Sequence, residues 1–125
     1  MEKKIRIIVG EIKVLAELNT TKVADLIWNL LPLRSTFNFW GDEIYFPIPV
    51  KEKSMEKPVD SVQIGDLGYW PEGHCFCIFY GPTPISSAGQ IKPASSVEII
   101  GRIIENPKVL KKAGGDAKIV VEKVQ

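Results

Sequence analysis

Six consecutive apolar or aromatic residues, 75–80 (CFCIFY), predict the strand at the centre of the fold. The stretch has about the length of one strand and offers no polar face, so protein must cover it on both sides. Because side chains alternate along a strand, the even-numbered residues of 74–80 are expected to face one layer and the odd-numbered residues the other. Turn residues precede and follow the stretch, so sites could lie near its two ends.

Two further patterns organise the first third of the chain. Residues 3–18 are rich in Ile and Val and alternate, which predicts two strand segments with a turn or bulge at Gly10-Glu11. Apolar residues then recur at helical spacing from Val23 to Leu31, after capping candidates at Asn19, Thr20 and Thr21 and before Pro32. We therefore predict one amphipathic helix of about three turns.

The rest of the chain predicts short strands separated by loops. Residues 35–50 resemble a hairpin that turns at Gly41-Asp42, and its second strand must lie at an edge or end at Pro47. Residues 51–60 are predicted to be an exposed loop, and residues 83–96 a polar loop of a length that functional loops often have. Residues 97–105 and 117–124 are predicted strands, with a short helix after Asn106-Pro107. The pattern as a whole indicates a mainly β protein, either a small barrel or a strongly bent sheet.

Size and charge narrow the classes of function. The chain has 125 residues, which fits a single domain, 1–125. A formal charge of +1 argues against a nucleic-acid surface or an anionic-membrane surface. No apolar stretch approaches the roughly 20 residues of a membrane span, so we expect a cytoplasmic protein. Lys far outnumbers Arg, which occurs only at three positions, and this composition hints at a thermophile.

The sequence gives little support for a catalytic motif or a metal site. His74 and the two cysteines, Cys75 and Cys77, are soft ligands, but neighbours on a strand face opposite sides and cannot easily share a metal. We therefore expect buried free thiols, no metal and no cofactor. The carboxylates of interest are Asp42, Glu43 and Asp66, each of which could instead be a turn or cap residue.

Aromatic residues give a stronger signal. They cluster in three neighbouring stretches, and Trp and Tyr beside turns are hard to bury completely because their N–H and O–H groups need partners. We therefore predict an apolar cleft with a few polar groups for a compact ligand, against the alternative that the rings only cap the core. The predicted ligand-binding residues are Trp40, Glu43, Tyr45, Tyr69, Trp70, His74 and Tyr80.

Four segments together resemble a family of small bacterial and archaeal cyclophilin-like proteins. These are the helix TKVADLIWNLLPL, the hairpin WGDEIYFPIPV, the run GDLGYWPEGHCFCIFYGPTP and the strand VEIIGRI. The resemblance implies a closed cyclophilin-like β-barrel with few helices. Peptidyl-prolyl cyclophilins carry F-H-R-x-x-P-x-F-M-x-Q-G-G-D. Arg34 precedes Phe39 by the same spacing, but the Phe-His, Pro and Gln of that motif are missing, so the catalytic role is not carried over to Arg34.

Three hypotheses of function follow. The first is a module that binds a small molecule or peptide at the aromatic cleft without an intact isomerase catalytic set. The second is a peptidyl-prolyl cis-trans isomerase, which needs a pocket for the ring and a donor that weakens amide resonance. The third is an interaction or assembly subunit, including a homo-oligomer, that pairs through a strand edge at residues 45–50.

Overall fold

The structure, a computed structural model, describes residues 2–115 and 118–124. In these residues, ten strands form one antiparallel sheet, accompanied by one α-helix and one 3₁₀ helix. In chain order the elements are β1 (Lys3–Val9), β2 (Ile12–Leu18), α1 (Lys22–Leu30), β3 (Leu33–Ser35), β4 (Asn38–Phe39), β5 (Glu43–Pro47), β6 (Pro58–Val59), β7 (Asp66–Trp70), β8 (Cys75–Phe79), β9 (Val97–Ile103), the 3₁₀ helix (Pro107–Lys112) and β10 (Ile119–Lys123).

Local sequence signals explain most of these boundaries. Gly10 has a φ of 62° and closes the tight turn of the predicted β1–β2 hairpin, in which Val9 pairs with Ile12. The side-chain oxygen of Thr21 accepts a hydrogen bond from the backbone N–H of Ala24, which confirms the predicted start of α1. Asn106 caps the 3₁₀ helix in the same manner. Of the last predicted strand, Ala117 lies outside the described residues.

The sheet is not closed into a barrel, so the closure implied by the resemblance was wrong. Its strand order runs from β3 at one edge through β10, β1, β2, β9, β7, β8 and β5 to β4 at the other, and β6 adds to β9. The two edge strands follow each other in the chain, separated only by residues 36 and 37. The Cα atoms of Ser35 and Asn38 can thus be at most about 11 Å apart. The sheet bends until its edges approach, and β3 and β4 are joined by only two residues without pairing to each other.

A narrow junction joins the two halves of the sheet. Strand β2 pairs with β9 through three residue pairs, of which Leu18 with Gly101 is the last. A Cβ atom at Gly101 would lie 2.2 Å from the carbonyl oxygen of Glu17, so only glycine allows the two backbones to approach this closely. Gly101 also adjoins the register shift between β7 and β9. The glycine within β9 is therefore a point of close contact between the halves.

Strand β8 has the two covered faces that its sequence predicts. Phe76, Ile78 and Tyr80 belong to the main core, with α1 and the inner residues of the other strands. Cys75, Cys77 and Phe79 belong to a second, smaller cluster on the opposite face. This second cluster, which we call the outer cluster, also includes Val62 and Val97, and the candidate site lies beside it.

Several features differ from the sequence-based expectation, which did not predict strands β3 and β7. Residues 51–60 contain the short strand β6, which pairs with β9. Strand β5 is internal, because it pairs with β8 along its length and with β4 at Ile44 and Tyr45. The strand edge expected at residues 45–50 is therefore absent at Tyr45, although β5 ends at Pro47 as predicted.

Candidate functional site

A cavity of about 240 Å³ opens on the outer face of the sheet. Apolar and aromatic surface dominates its wall, with one carboxylate and one thiol among the lining groups. We call this cavity the aromatic cleft, and it is lined by Trp40, Glu43, Tyr45, Trp70, Cys77, Pro93, Ala94 and Val97.

Strand register brings the cleft residues of the sheet onto one face. Tyr45 pairs with Cys77 across β5 and β8, and Glu43 lies two residues before Tyr45, on the same side of β5. Trp70 pairs with Cys75 across β7 and β8, which places it on the same outer face as Cys77. The alternation of three adjacent strands therefore gathers side chains that are distant in sequence.

A tight turn positions Trp40 beside Glu43. The backbone N–H of Trp40 donates to the carbonyl oxygen of Glu43 at 2.9 Å, and the N–H of Glu43 donates back to the Trp40 carbonyl at 3.2 Å. Gly41 has a φ of 60°, which this turn requires. The N–H of Asp42 donates to the carbonyl oxygen of Pro82 at 2.9 Å, so the turn is anchored to the chain beyond β8.

The long polar loop forms the other wall of the cleft. Trp70 Nε1 donates a hydrogen bond to Ser95 Oγ at 2.6 Å, and Ser95 Oγ donates to Glu72 Oε2 at 2.6 Å. Within the loop, Ser86 Oγ accepts from the backbone N–H groups of Thr83 and Lys92, at 2.9 and 3.1 Å. The loop is therefore braced internally and tied to the indole that it faces.

Replacing Ser95 with alanine is expected to loosen this wall. The change removes the partner of the Trp70 indole N–H, and a lost hydrogen bond of this kind typically costs about 1 kcal/mol. We expect acrylamide to quench Trp70 fluorescence more strongly in a Trp28→Phe, Trp40→Phe background. Ser96→Ala is the matched control, because the Ser96 hydroxyl bonds to Asp60 instead. Equal quenching in both serine variants would contradict the proposed tie.

Glu43 is the electrostatic centre of the cleft. Its side chain is only 5% exposed, and burial raises the pKa of its carboxyl from 4.5 to about 7, although a hydrogen bond from the Cys77 thiol acts in the opposite direction. Burial, together with the charge of Glu43, raises the pKa of the Cys77 thiol well above its usual value. The thiol therefore remains protonated as a weak donor, and the carboxyl is poised to gain or lose a proton near neutral pH.

The structure brings together four of the seven sequence-predicted site residues. Trp40, Glu43, Tyr45 and Trp70 line the aromatic cleft. The other three lie elsewhere, at Tyr69, His74 and Tyr80.

The positions of Tyr69, His74 and Tyr80 explain why these residues do not line the cleft. Tyr69 is fully buried in the main core, and its single hydroxyl proton lies between the carbonyl oxygens of Val50 and Glu52, which are 3.1 and 2.8 Å from the hydroxyl oxygen. Tyr80 is also in the main core, where burial and the nearby charge of Asp42 raise its pKa to about 12. His74 occupies the β7–β8 turn with a φ of 52°, and its carbonyl oxygen accepts from the Ile48 N–H.

Sequence reasoning did not identify four lining residues. Cys77 was expected to be a plain buried hydrophobe, and Pro93, Ala94 and Val97 carried no chemical signal of their own. The length of the polar loop was the available clue, since it predicted a functional loop without saying which surface the loop would cover.

Several other candidate features lie away from the cleft. Arg34 is exposed on the edge strand β3 and does not line the cleft. Among residues 2–115 and 118–124, no group of three or more His, Cys, Asp or Glu side chains is arranged to hold a metal ion. The two cysteines are buried and unpaired. In the same part of the chain, no helix has both the length and the apolar character to cross a bilayer.

Comparisons with known proteins agree on the fold. The family model described as cyclophilin-like matches residues 3–122. The solution structure of a hypothetical protein from Archaeoglobus fulgidus is similar, with a TM-score of 0.82 and 38% sequence identity. The alignment covers 98% of this chain and 95% of that one. No curated protein matches the sequence.

Proposed function

The chain belongs to the cyclophilin-like family, and from this premise we propose that it is a binding module that holds a small molecule or a peptide side chain in the aromatic cleft. Family membership alone does not define an activity, because one fold serves many functions. The observation that carries the proposal is the meeting of three aromatic side chains and one buried carboxylate in a single cavity.

The size and chemistry of the cleft define the kind of ligand. Small-molecule pockets typically have about 300–1,000 Å³, so a cavity of about 240 Å³ suits a compact group or one side chain. Trp40, Tyr45 and Trp70 supply apolar surface, and Glu43 supplies a polar contact that orients the ligand. An apolar wall with few polar groups is typical of binding sites for small molecules.

Chemical-shift mapping tests the proposal with an internal control. The chain has three tryptophans, and two of them, Trp40 and Trp70, line the cleft, while Trp28 lies on α1. We expect members of a metabolite and short-peptide library to shift the indole signals of Trp40 and Trp70 and to leave that of Trp28 unchanged. Shifts that concentrate on residues away from the cleft would reject this location.

Substitution of a cleft tryptophan provides the quantitative test. Trp40→Ala is expected to weaken a ligand found in the library about tenfold, as expected for truncating an aromatic anchor in a small site. Trp28→Phe is the control and is expected to leave the affinity unchanged. An unchanged dissociation constant in Trp40→Ala would remove Trp40 from the proposed site.

Peptidyl-prolyl isomerase activity is the alternative that the family raises. The cleft has room for a compact ring, but its donors are the Trp40 indole, the Tyr45 hydroxyl, the Cys77 thiol and, when protonated, Glu43. Exchange spectroscopy on an X-Pro peptide distinguishes the two functions. Acceleration that is lost in Glu43→Gln would favour the isomerase over the simple binding module.

A further inference from the structure

We infer that the aromatic cleft selects an organic ammonium group, and this inference rests on the binding function proposed above. The ammonium could belong to a free amine or to the side chain of a lysine in a peptide. Both share the same chemistry, which is a compact cation attached to an alkyl stem.

The aromatic rings of the cleft favour a cation. A cation within about 6 Å of an aromatic face is attracted by the ring quadrupole, and the attraction is strongest with Trp and grows when the site is desolvated. The cleft offers two tryptophans and one tyrosine around a single small cavity. Cages of this composition bind ammonium groups because several faces can contact one cation.

Glu43 forms no ion pair with the other described residues. The ion pairs among the described residues use other carboxylates, those of Glu2, Asp25, Asp42, Glu52 and Glu122. The side-chain hydrogen bond that acts on Glu43 comes from the Cys77 thiol, which is a weak donor. A buried carboxylate without a cation is costly, so a cationic ligand supplies the partner that the protein lacks.

The residues that line the cleft beside Glu43 are uncharged. Pro93, Ala94 and Val97, from the loop and β9, carry no charge and no side-chain donor. The other ionisable groups that line the cleft are Tyr45, on the same strand as Glu43, and the Cys77 thiol on β8, and the charge of Glu43 also raises the pKa of the Cys75 thiol. Another carboxylate, that of Glu72, accepts a hydrogen bond from Ser95, which in turn accepts one from the Trp70 indole. Lys111 is paired with Asp42, the residue next to Glu43, at 3.8 Å, so a carboxylate already balances that cation. No residue that lines the cleft carries a positive charge, so the cleft is expected to favour cations over anions.

Protonation of Glu43 should then control the affinity. Its pKa in the free protein is raised to about 7, and a bound cation would lower that pKa by stabilising the carboxylate. Binding of a permanently charged ammonium should therefore release a proton near neutral pH. Its affinity should rise as the pH increases through about 7 and level off above it.

A pair of nearly isosteric probes tests the inference. Choline is the cation, and 3,3-dimethylbutan-1-ol is its neutral carbon analogue. Binding is followed by the indole signals of Trp40 and Trp70. At pH 8 we expect choline to bind at least about tenfold more tightly than the alcohol, which corresponds to about 1.4 kcal/mol. The preference should shrink both in Glu43→Gln and at pH 5.5, where the aromatic faces alone attract the cation.

Control variants and further probes separate the outcomes. Glu11→Gln removes the same charge from an exposed turn and should preserve the preference. Butylammonium and N-acetyl-lysine methylamide distinguish a free amine from a peptide lysine, and the tighter binder identifies the source. If the alcohol binds as well as choline at pH 8, the inference fails but the proposed binding function stands. If neither probe shifts the cleft signals, the ammonium inference also fails, and the library experiment alone decides the wider function.

Discussion

Replacing Glu43 with glutamine is expected to stabilise the ligand-free protein above pH 7 by up to about 3 kcal/mol. The value follows from the raised pKa of Glu43, from 4.5 to about 7, because each pKa unit corresponds to about 1.36 kcal/mol. The wild-type protein must keep a charged carboxylate in an apolar cleft at high pH. Glutamine resembles the protonated acid and avoids this cost.

The contribution of Glu43 to the stability of the wild-type protein is expected to fall as the pH rises, because the folded protein binds its proton more tightly than the unfolded protein. Between about pH 4.5 and 7, folded Glu43 binds more protons than unfolded Glu43. Stability from this group is therefore fully present below the unfolded pKa and is lost as the pH rises through the folded pKa. Above about pH 7 its contribution no longer changes.

Urea unfolding at several pH values measures this effect. The difference in unfolding free energy between Glu43→Gln and wild type should grow from pH 4.5 to pH 7.5 and then remain constant. Glu11→Gln, in an exposed turn, should show a small difference that does not follow this profile. A difference for Glu43→Gln that is the same at every pH would show that Glu43 is not held at a raised pKa.

Replacing Gly101 with alanine is expected to destabilise the protein by about 3 kcal/mol, at the upper end of typical overpacking costs. The new Cβ would lie 2.2 Å from the carbonyl oxygen of Glu17 and 2.9 Å from the Cα of Leu18. Both contacts are with backbone of β2, so a side-chain rotation cannot relieve them. Relief requires the β2–β9 junction to separate, and that junction joins the two halves of the sheet.

Thermal or urea unfolding of two alanine variants tests this prediction. Gly115→Ala is the control, because its Cβ would meet only ring carbons of Phe39, at 3.4 and 3.8 Å. We expect a much lower melting temperature for Gly101→Ala and a small change for Gly115→Ala. Similar stabilities of Gly101→Ala and wild type would mean that the two strands can move apart at little cost.

The stability that the protein loses by burying the Glu43 carboxylate supports a functional interpretation of the cleft. An apolar site normally holds apolar groups, because burying an unpaired carboxylate lowers the stability of the protein at neutral pH. Glu43 departs from this rule. Such local conflicts are expected at functional sites, where stability and activity impose different demands. If Glu43→Gln is more stable but has a weaker preference for ammonium ligands, one residue will show both sides of this trade-off.

Short-range patterns accounted for much of the fold. The caps at Thr21 and Asn106 marked the starts of both helices, and Gly10 marked the first hairpin turn. Alternation in residues 74–80 assigned Phe76 and Cys77 to different layers, as observed. These features depend on interactions between residues close in sequence, so they can be read from local spacing.

Contacts between residues distant in sequence determine which side chains line the cleft. Tyr69 and Trp70 are neighbours in sequence, yet one lies in the core and the other lines the cleft. Alternation predicts that they face opposite sides, but both faces of this part of the sheet are covered by apolar residues. The pattern therefore could not say which face carried the site, and Tyr69 could not be separated from Trp70 by sequence alone.

By itself, the sequence determined the mainly β class, most of the elements and which side chains share a face of β8, because these properties follow from turns, caps and the two-residue period of a strand. The tertiary structure alone decided three features: the sheet remains open between β3 and β4, Ser95 reaches Trp70 from 25 residues away, and Glu43 is buried beside Cys77. Each of these depends on which distant segments meet, and local periodicity contains no information about that choice.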